Sequence, residues 1–324
     1  MKTKATILTT VIAIAVIVGC KKEPDNPASP IPPDVTTSSP FRTLFANNIA
    51  NATQTFNLNA TTGGQVMGNK GTQLDFEPGA FVYENGTPVT GQVQISLVEV
   101  LTISDMLWLN VQTVGNDNGI LRMLRSGGAI NVYANQGSVP VQITNGGLIA
   151  KIPTNVGDPN MELFRGNPNE DGNMIWDRID SAIISVDSAY YDTTDYTYTY
   201  PYYFNYGING DSLNWTNVDI FWNYPNTTTL TSTLPAGQST DSTLVWVAFP
   251  SENAVLNMNF IGSETYQAPW QVPLGMQAVI VGLKQDAVGY SSSFTTVNVT
   301  SNMNVPMIFS PTTIQQFEDD VNAL

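Results

Sequence analysis

The sequence predicts an all-β protein: two antiparallel β-sandwich domains in series, followed by a short C-terminal helix. Three observations lead there. Short runs rich in Val, Ile, Thr and aromatic residues alternate apolar with polar, as at 92–100, 129–134, 148–152, 243–248 and 277–283, the period-2 pattern of half-buried strands. Gly, Asn, Asp or Pro interrupts them at a spacing of roughly 8–12 residues, the rhythm of sandwiches and barrels. No sustained helical period appears before the C-terminus. The folded part is large enough for two domains, and the Pro/Gly-bearing stretch PTNVGDPN at 153–160 is the expected break between them.

The first element is residues 1–19. Lys2 and Lys4 precede an apolar run at 7–18, which ends in Gly19-Cys20. As a helix that run would rise about 18 Å, short of the ~30 Å hydrocarbon core, so it reads as a signal peptide and not a membrane span. Ile17-Val18-Gly19-Cys20 resembles the lipobox of bacterial lipoproteins, which implies that Cys20 is acylated, with palmitate-type chains, and becomes the first mature residue. Cys20 is the chain's only cysteine. Several acyl chains on one residue hold a protein on a bilayer, because each buried methylene contributes about 0.8 kcal/mol. Lys21-Lys22-Glu23-Pro24-Asp25 partly resembles the lysine-plus-acidic tag of Bacteroidota lipoproteins, which implies an outer-membrane, surface-exposed location. Six prolines between Pro24 and Pro40 make residues 20–42 a semi-rigid tether.

Composition excludes several chemistries. Removing Lys2 and Lys4 with the signal peptide leaves 12 − 2 = 10 basic against 27 acidic side chains, a net charge of 10 − 27 = −17. Such a surface repels phosphate backbones and anionic headgroups, so no nucleic-acid partner is expected and membrane contact falls to the lipid anchor. Histidine is absent. Serine-histidine triads, histidine bases and the usual zinc sites are therefore ruled out. With Cys20 acylated, thiol catalysis and disulfides are excluded too. No enzyme activity and no cofactor are expected.

The domain at 43–154 has a recognisable pattern. Phe56-Asn57-Leu58-Asn59-Ala60, Gly63-Gly64-Gln65-Val66 and the run from Gly71 through Glu77-Pro78-Gly79 to Phe81 resemble the opening of ZU5-type domains. Glu77-Pro78-Gly79 suits a type II turn. The resemblance implies a β-sandwich used in protein interaction. Some ZU5 domains cleave themselves at a histidine-phenylalanine-serine motif, and that activity does not transfer to a chain without histidine. Met161 to Gly166, Trp176 and Trp215 to Phe221 resemble the continuation in related Bacteroidota lipoproteins of unassigned role. The second sandwich, 155–310, is expected to be of immunoglobulin or transthyretin type.

Within it lie the candidate sites. Eight of the thirteen tyrosines fall between Tyr190 and Tyr206. Tyr196, Tyr198 and Tyr200 alternate with Thr197 and Thr199, so a strand sets the three rings on one face. The plainer reading is a strand, since tyrosine and threonine suit a pleated surface and Pro201 marks an edge. As a ligand surface, the strip would extend to Trp215, Phe221 and Trp222, with a glycan as its natural target. The loop 167–173 imitates half of a calcium loop, with Asp171 and Asp177 as weak ligand candidates. Arg178 stands where the bidentate carboxylate belongs, so a hairpin turn is the main expectation and no metal is assigned. Asp-Ser and Asp-Thr pairs at Ser181, Ser188, Thr193, Ser212 and Ser242 fit the Bacteroidota O-glycosylation sequon, and equally fit common turn pairs. Scattered carboxylates, among them Glu99, Asp105 and Glu252, form no glycosidase-like pair in the sequence.

The last element is residues 311–324, with Ser310 expected as cap, Pro311 in the first turn, and Ile314, Phe317 and Val321 on one face. The functional expectation is a cell-envelope lipoprotein with a non-catalytic binding or structural role, as an accessory subunit of an outer-membrane complex or an adhesin with a protein partner at the surface. The alternative is a carbohydrate-binding or glycan-processing surface protein using the aromatic strip.

Overall fold

The computed structural model describes residues 41–158, 160–169, 173–179, 184–187, 191–192, 197–198, 202–208, 213–237 and 242–324, and only the backbone of 184–187, 191–192, 197–198 and 202–208. The protein is all-β, with three short helices among these residues: α1 (Arg42–Ala52), α2 (Ile103–Leu109) and α3 (Ile314–Asn322). None of them is long and apolar enough to cross a membrane.

Alternation sets the first core. In the strand Gln92–Val100, Val93, Ile95 and Leu97 point inward while Gln92 and Gln94 stay in water. This strand lies between Gln54–Asn59 and Ile120–Gln136 in one sheet, which faces a second sheet built from Gly64–Met67, Gln73–Phe76, Leu148–Thr154, Tyr202–Ile208 and Ile184–Asp187. Leu58, Leu74, Ile130, Leu148 and Ile152 fill the space between the two sheets. From Val98 onward both faces of the Gln92–Val100 strand are buried, because the helices cover the outer one.

The long strand Ile120–Gln136 does two jobs. Its start pairs with Val114–Asp117 and its middle with Trp215–Phe221. Trp215–Phe221 continues to Glu162–Pro168, then Met174–Arg178, which pairs in parallel with Val114–Asp117, so the ladder closes on itself. A register shift opposite Asn217 and Asp219 gives the long strand the bulge such curvature needs. Gly166 makes room inside the ring: a Cβ there would sit 2.7 Å from both Met174 Sδ and Trp176 Cζ3.

The later part of the chain forms a second pair of sheets. Thr243–Phe249, Ala254–Asn257, Gln277–Asp286, Gly289–Asn298 and Ser310–Thr312 make one; Leu230–Thr233, Asn259–Gly262, Thr265–Gln267 and Met303–Pro306 make the other. Val245, Val247, Phe249, Leu256 and Ile280 lie between them. The other side of Thr243–Phe249 presents Trp246 and Ala248 to a third core. There α1, α2 and α3 bring Phe41, Phe45, Leu107 and Phe317 against Trp176 and Trp215 of the closed ladder.

The structure answers the sequence expectations in detail. The strand at 92–100 is found with the expected bounds, and 129–134, 148–152, 243–248 and 277–283 each lie inside an observed strand. Ala80 N donates to Glu77 O at 3.1 Å and Gly79 has φ +71°, as the turn at Pro78-Gly79 requires. The break expected at 154/155 does not divide the sheets, since Tyr202–Ile208 and Trp215–Phe221 complete sheets begun before it. The tether expected to run to residue 42 ends sooner: Phe41 is 1% exposed and α1 begins at Arg42. The C-terminal helix starts later than Ser310-Pro311. Thr313 is its cap, accepting from Gln316 N, while Ser310–Thr312 is a strand on Gly289–Asn298. Phe317 and Val321 are buried as expected, and Ile314 is only half-buried.

Candidate functional site

The chain leaves the closed ladder at Phe221 and enters the second pair of sheets at Thr227. This crossing forms one wall of an open cleft of about 160 Å³. Trp222 N donates to Met123 O at 3.0 Å, which fixes the crossing beside Leu121, Arg122 and Met123 at the start of the long strand. The short strand Thr227–Thr228 pairs with Val272–Pro273, which holds Trp270 and Gln271 on the opposite side. The cleft therefore collects Trp222, Tyr224 and Trp270 from distant parts of the chain at the junction of the two halves, a common place for ligand pockets.

Its polar atoms are few and oriented. Arg122 donates through Nη1 to Asp117 Oδ2 at 2.6 Å and through Nη2 to Trp222 O at 2.9 Å, and its guanidinium carbon lies 4.9 Å from the centre of the Phe221 ring. Thr227 Oγ1 donates to Gln271 Oε1 at 2.7 Å. Tyr224 is 39% exposed, and burial together with its bond to Glu252 pushes the phenol up to about 12. Glu252 is buried and lies 3.8 Å from Arg125 Nε. The Trp222 indole Nε1–H is enclosed and has no acceptor.

The expected ligand strip is divided by the structure. Trp215 is 4% exposed and packs edge-on against Trp176 at 6.4 Å. That is a core position, which corrects its placement on a ligand surface. Phe221 is half-buried, packed edge-on against Phe164 and covered by Arg122. Trp222 reaches the cleft. Tyr196 and Tyr200 lie outside the described residues. Tyr198 is placed by its backbone alone, paired with Tyr191 in a two-stranded ladder.

The remaining candidates also find their places. The strands Glu162–Pro168 and Met174–Arg178 pair antiparallel, with Asn169 N donating to Asn173 O at 2.9 Å beyond their ends, and Asp171 lies outside the described residues. Asp177 has both oxygens engaged by amide donors, Asn116 Nδ2 and Asn167 Nδ2, each at 2.9 Å. Among the sequon residues, Ser181, Ser188, Thr193 and Ser212 lie outside the description. Ser242 is half-buried at the head of Thr243–Phe249, its carbonyl accepting from Gln285 N. Cys20 also lies outside it.

Two buried carboxylates do structural work. Glu99, 2% exposed, accepts from Lys70 N and Thr72 N at 2.9 Å and from Gln54 Nε2 at 2.8 Å, pinning the 68–72 turn. Asp219 is fully buried at the bulge. Burial holds its carboxyl well above the usual range, against the opposing hydrogen bonds from Ser126, Gly127 and Asn217.

The sequence reading missed Tyr224, Trp270, Gln271 and Arg122. Trp270 carried a signal of its own, a large ring in the Pro-flanked turn Pro269-Trp270-Gln271, where no strand calls for it.

No protein-family model and no curated protein matches the chain. Among solved structures, a gamma-CGTase from alkalophilic Bacillus clarkii matches over 83% of this chain and 43% of its own, with 11% identity and a TM-score of 0.20. The chain thus spans less than half the length of that structure, and a likeness this slight carries no argument about fold or function.

Proposed function

We propose that the chain is a cell-envelope lipoprotein, held at the outer membrane by acyl chains on Cys20 and facing the surface with an ectodomain that binds without catalysing. The observation that carries the binding role is the cleft, where Trp222, Tyr224 and Trp270 line an open space at the junction of the two halves. Composition supports the non-catalytic part, because the mature chain has no imidazole and its one thiol is the lipid site. The ZU5-like pattern supports a protein partner, as for a subunit of an outer-membrane complex or an adhesin. A carbohydrate ligand is the second reading, favoured by the polar rim of Gln271 and Thr227 beside the rings.

The test uses full-length protein and a Cys20→Ala variant in cells. The wild type should sediment with membranes and the variant should remain soluble. Cross-linking from native membranes should recover a bound molecule that Tyr224→Ala loses. A wild type found in the soluble fraction would contradict the anchor, and substrate turnover by purified protein would contradict the non-catalytic role.

A further inference from the structure

We infer that the cleft is a subsite for one pyranose ring of a neutral glycan. The inference rests on the carbohydrate reading of the cleft, the second of the two readings above, and narrows it to a neutral sugar ring. Size is the first argument: the space is about 160 Å³, and a cavity of ~150 Å³ accommodates a single six-membered carbon ring. Chemistry is the second. A pyranose offers a C–H face that packs on aromatic rings and a rim of hydroxyls that need partners.

The rim supplies them. Thr227 holds the Gln271 carbonyl oxygen, which turns the amide so that its Nε2 hydrogens remain for a ligand. Arg122 has five N–H donors. The named bonds to Asp117 and the Trp222 carbonyl use two of them, and stacking on Phe221 keeps the group in place. The Trp222 indole nitrogen is enclosed, its ring held edge-on against Phe249 at 5.0 Å and Tyr224 at 5.6 Å, so Gln271 and Arg122 are the donors offered to a ligand.

Charge decides between ligands of this size. Arg122 is matched by Asp117 at 2.6 Å and the chain carries a net charge of −15, so an acidic sugar finds no unpaired cation and meets an acidic surface. An organic cation would gain from the aromatic rings but finds no carboxylate among the lining residues.

The experiment is calorimetric titration of full-length protein in detergent. The probes are maltotriose, cellotriose, xylotriose, mannotriose and triacetylchitotriose, with trigalacturonate, choline and a proline-rich peptide as contrasts. At least one neutral trisaccharide should bind saturably. Trp270→Ala should weaken it about tenfold, in line with the loss of an aromatic anchor. Gln271→Ala, at an exposed position, should weaken it while leaving the melting temperature unchanged. Absence of saturable binding across the neutral set overturns the inference, as does equal affinity for trigalacturonate, or binding that neither variant changes. Binding of choline or the peptide alone overturns the glycan assignment and leaves the cleft as a binding site.

Discussion

Two aromatic regions lie at the same junction and end differently. Inside it, Phe45 packs edge-on against Trp246 at 6.3 Å and Trp246 stacks on Phe317 at 6.5 Å. Two of the indoles there are satisfied: Trp176 Nε1 donates to Gln112 O at 2.7 Å and Trp246 Nε1 to Asn110 Oδ1 at 3.0 Å. At the rim, Trp222 has no acceptor and Tyr224 stands 39% exposed. The helices make the difference. α1, α2 and α3 fill the interior, whereas the rim is bridged by the two-residue strands Thr227–Thr228 and Val272–Pro273, which are too short to cover it. The Trp176 and Trp246 indoles have their polar atoms paired, whereas the Trp222 indole, packed edge-on against Phe249 at 5.0 Å, does not.

Mutations can break this contrast. The largest effect is expected for Phe45→Ala. It empties a fully buried site between α1 and Trp246 and should cost about 3–5 kcal/mol in a denaturant titration. Asn110→Ala takes the acceptor from a buried indole and should cost about 1–3 kcal/mol by the same measurement.

Asp219 sharpens the contrast through pH. The native state keeps its proton above the ordinary carboxylate value of 3.8, where the unfolded chain has lost it. Its contribution is therefore fully present below 3.8 and is lost as pH rises toward the raised native value. Asp219→Asn removes that loss, so the stability difference of variant minus wild type should grow as pH rises from 4 to 7 in parallel urea titrations. A difference constant with pH would mean that Asp219 is charged in the native state. The smallest effect is expected at the rim, where Gln271→Ala should change stability by less than about 0.5 kcal/mol.

The sequence made the strands legible because alternation is local. Gln92–Val100 has in the structure the bounds that its alternation gives it in the sequence. Helix α1 was hidden: Phe41, Phe45 and Ile49 recur every four residues, yet asparagine and alanine fill 46–48 and 50–52 and no strong polar face marks a helix. Helix α2 carried its signal in Thr102 and Asp105, which form a capping box, but its seven residues are too few for a clear period. The aromatic strip misled because period 2 places Trp215 on one face of a strand without telling which face is covered. Burial there depends on Trp176, 39 positions away in sequence and adjacent only through the closed ladder. The cleft was illegible for the same reason, since Arg122, Trp222 and Trp270 meet only after both halves have folded.

The most direct test of the central claim is the indole region of the ¹⁵N–¹H spectrum, where the six tryptophans each give one signal. On titration with the best-binding neutral trisaccharide, the signals of Trp222 and Trp270 should move while those of Trp176 and Trp246 stay fixed. Movement confined to the interior indoles, or saturable binding with both Trp222 and Trp270 unmoved, would contradict the cleft as the place where this protein binds.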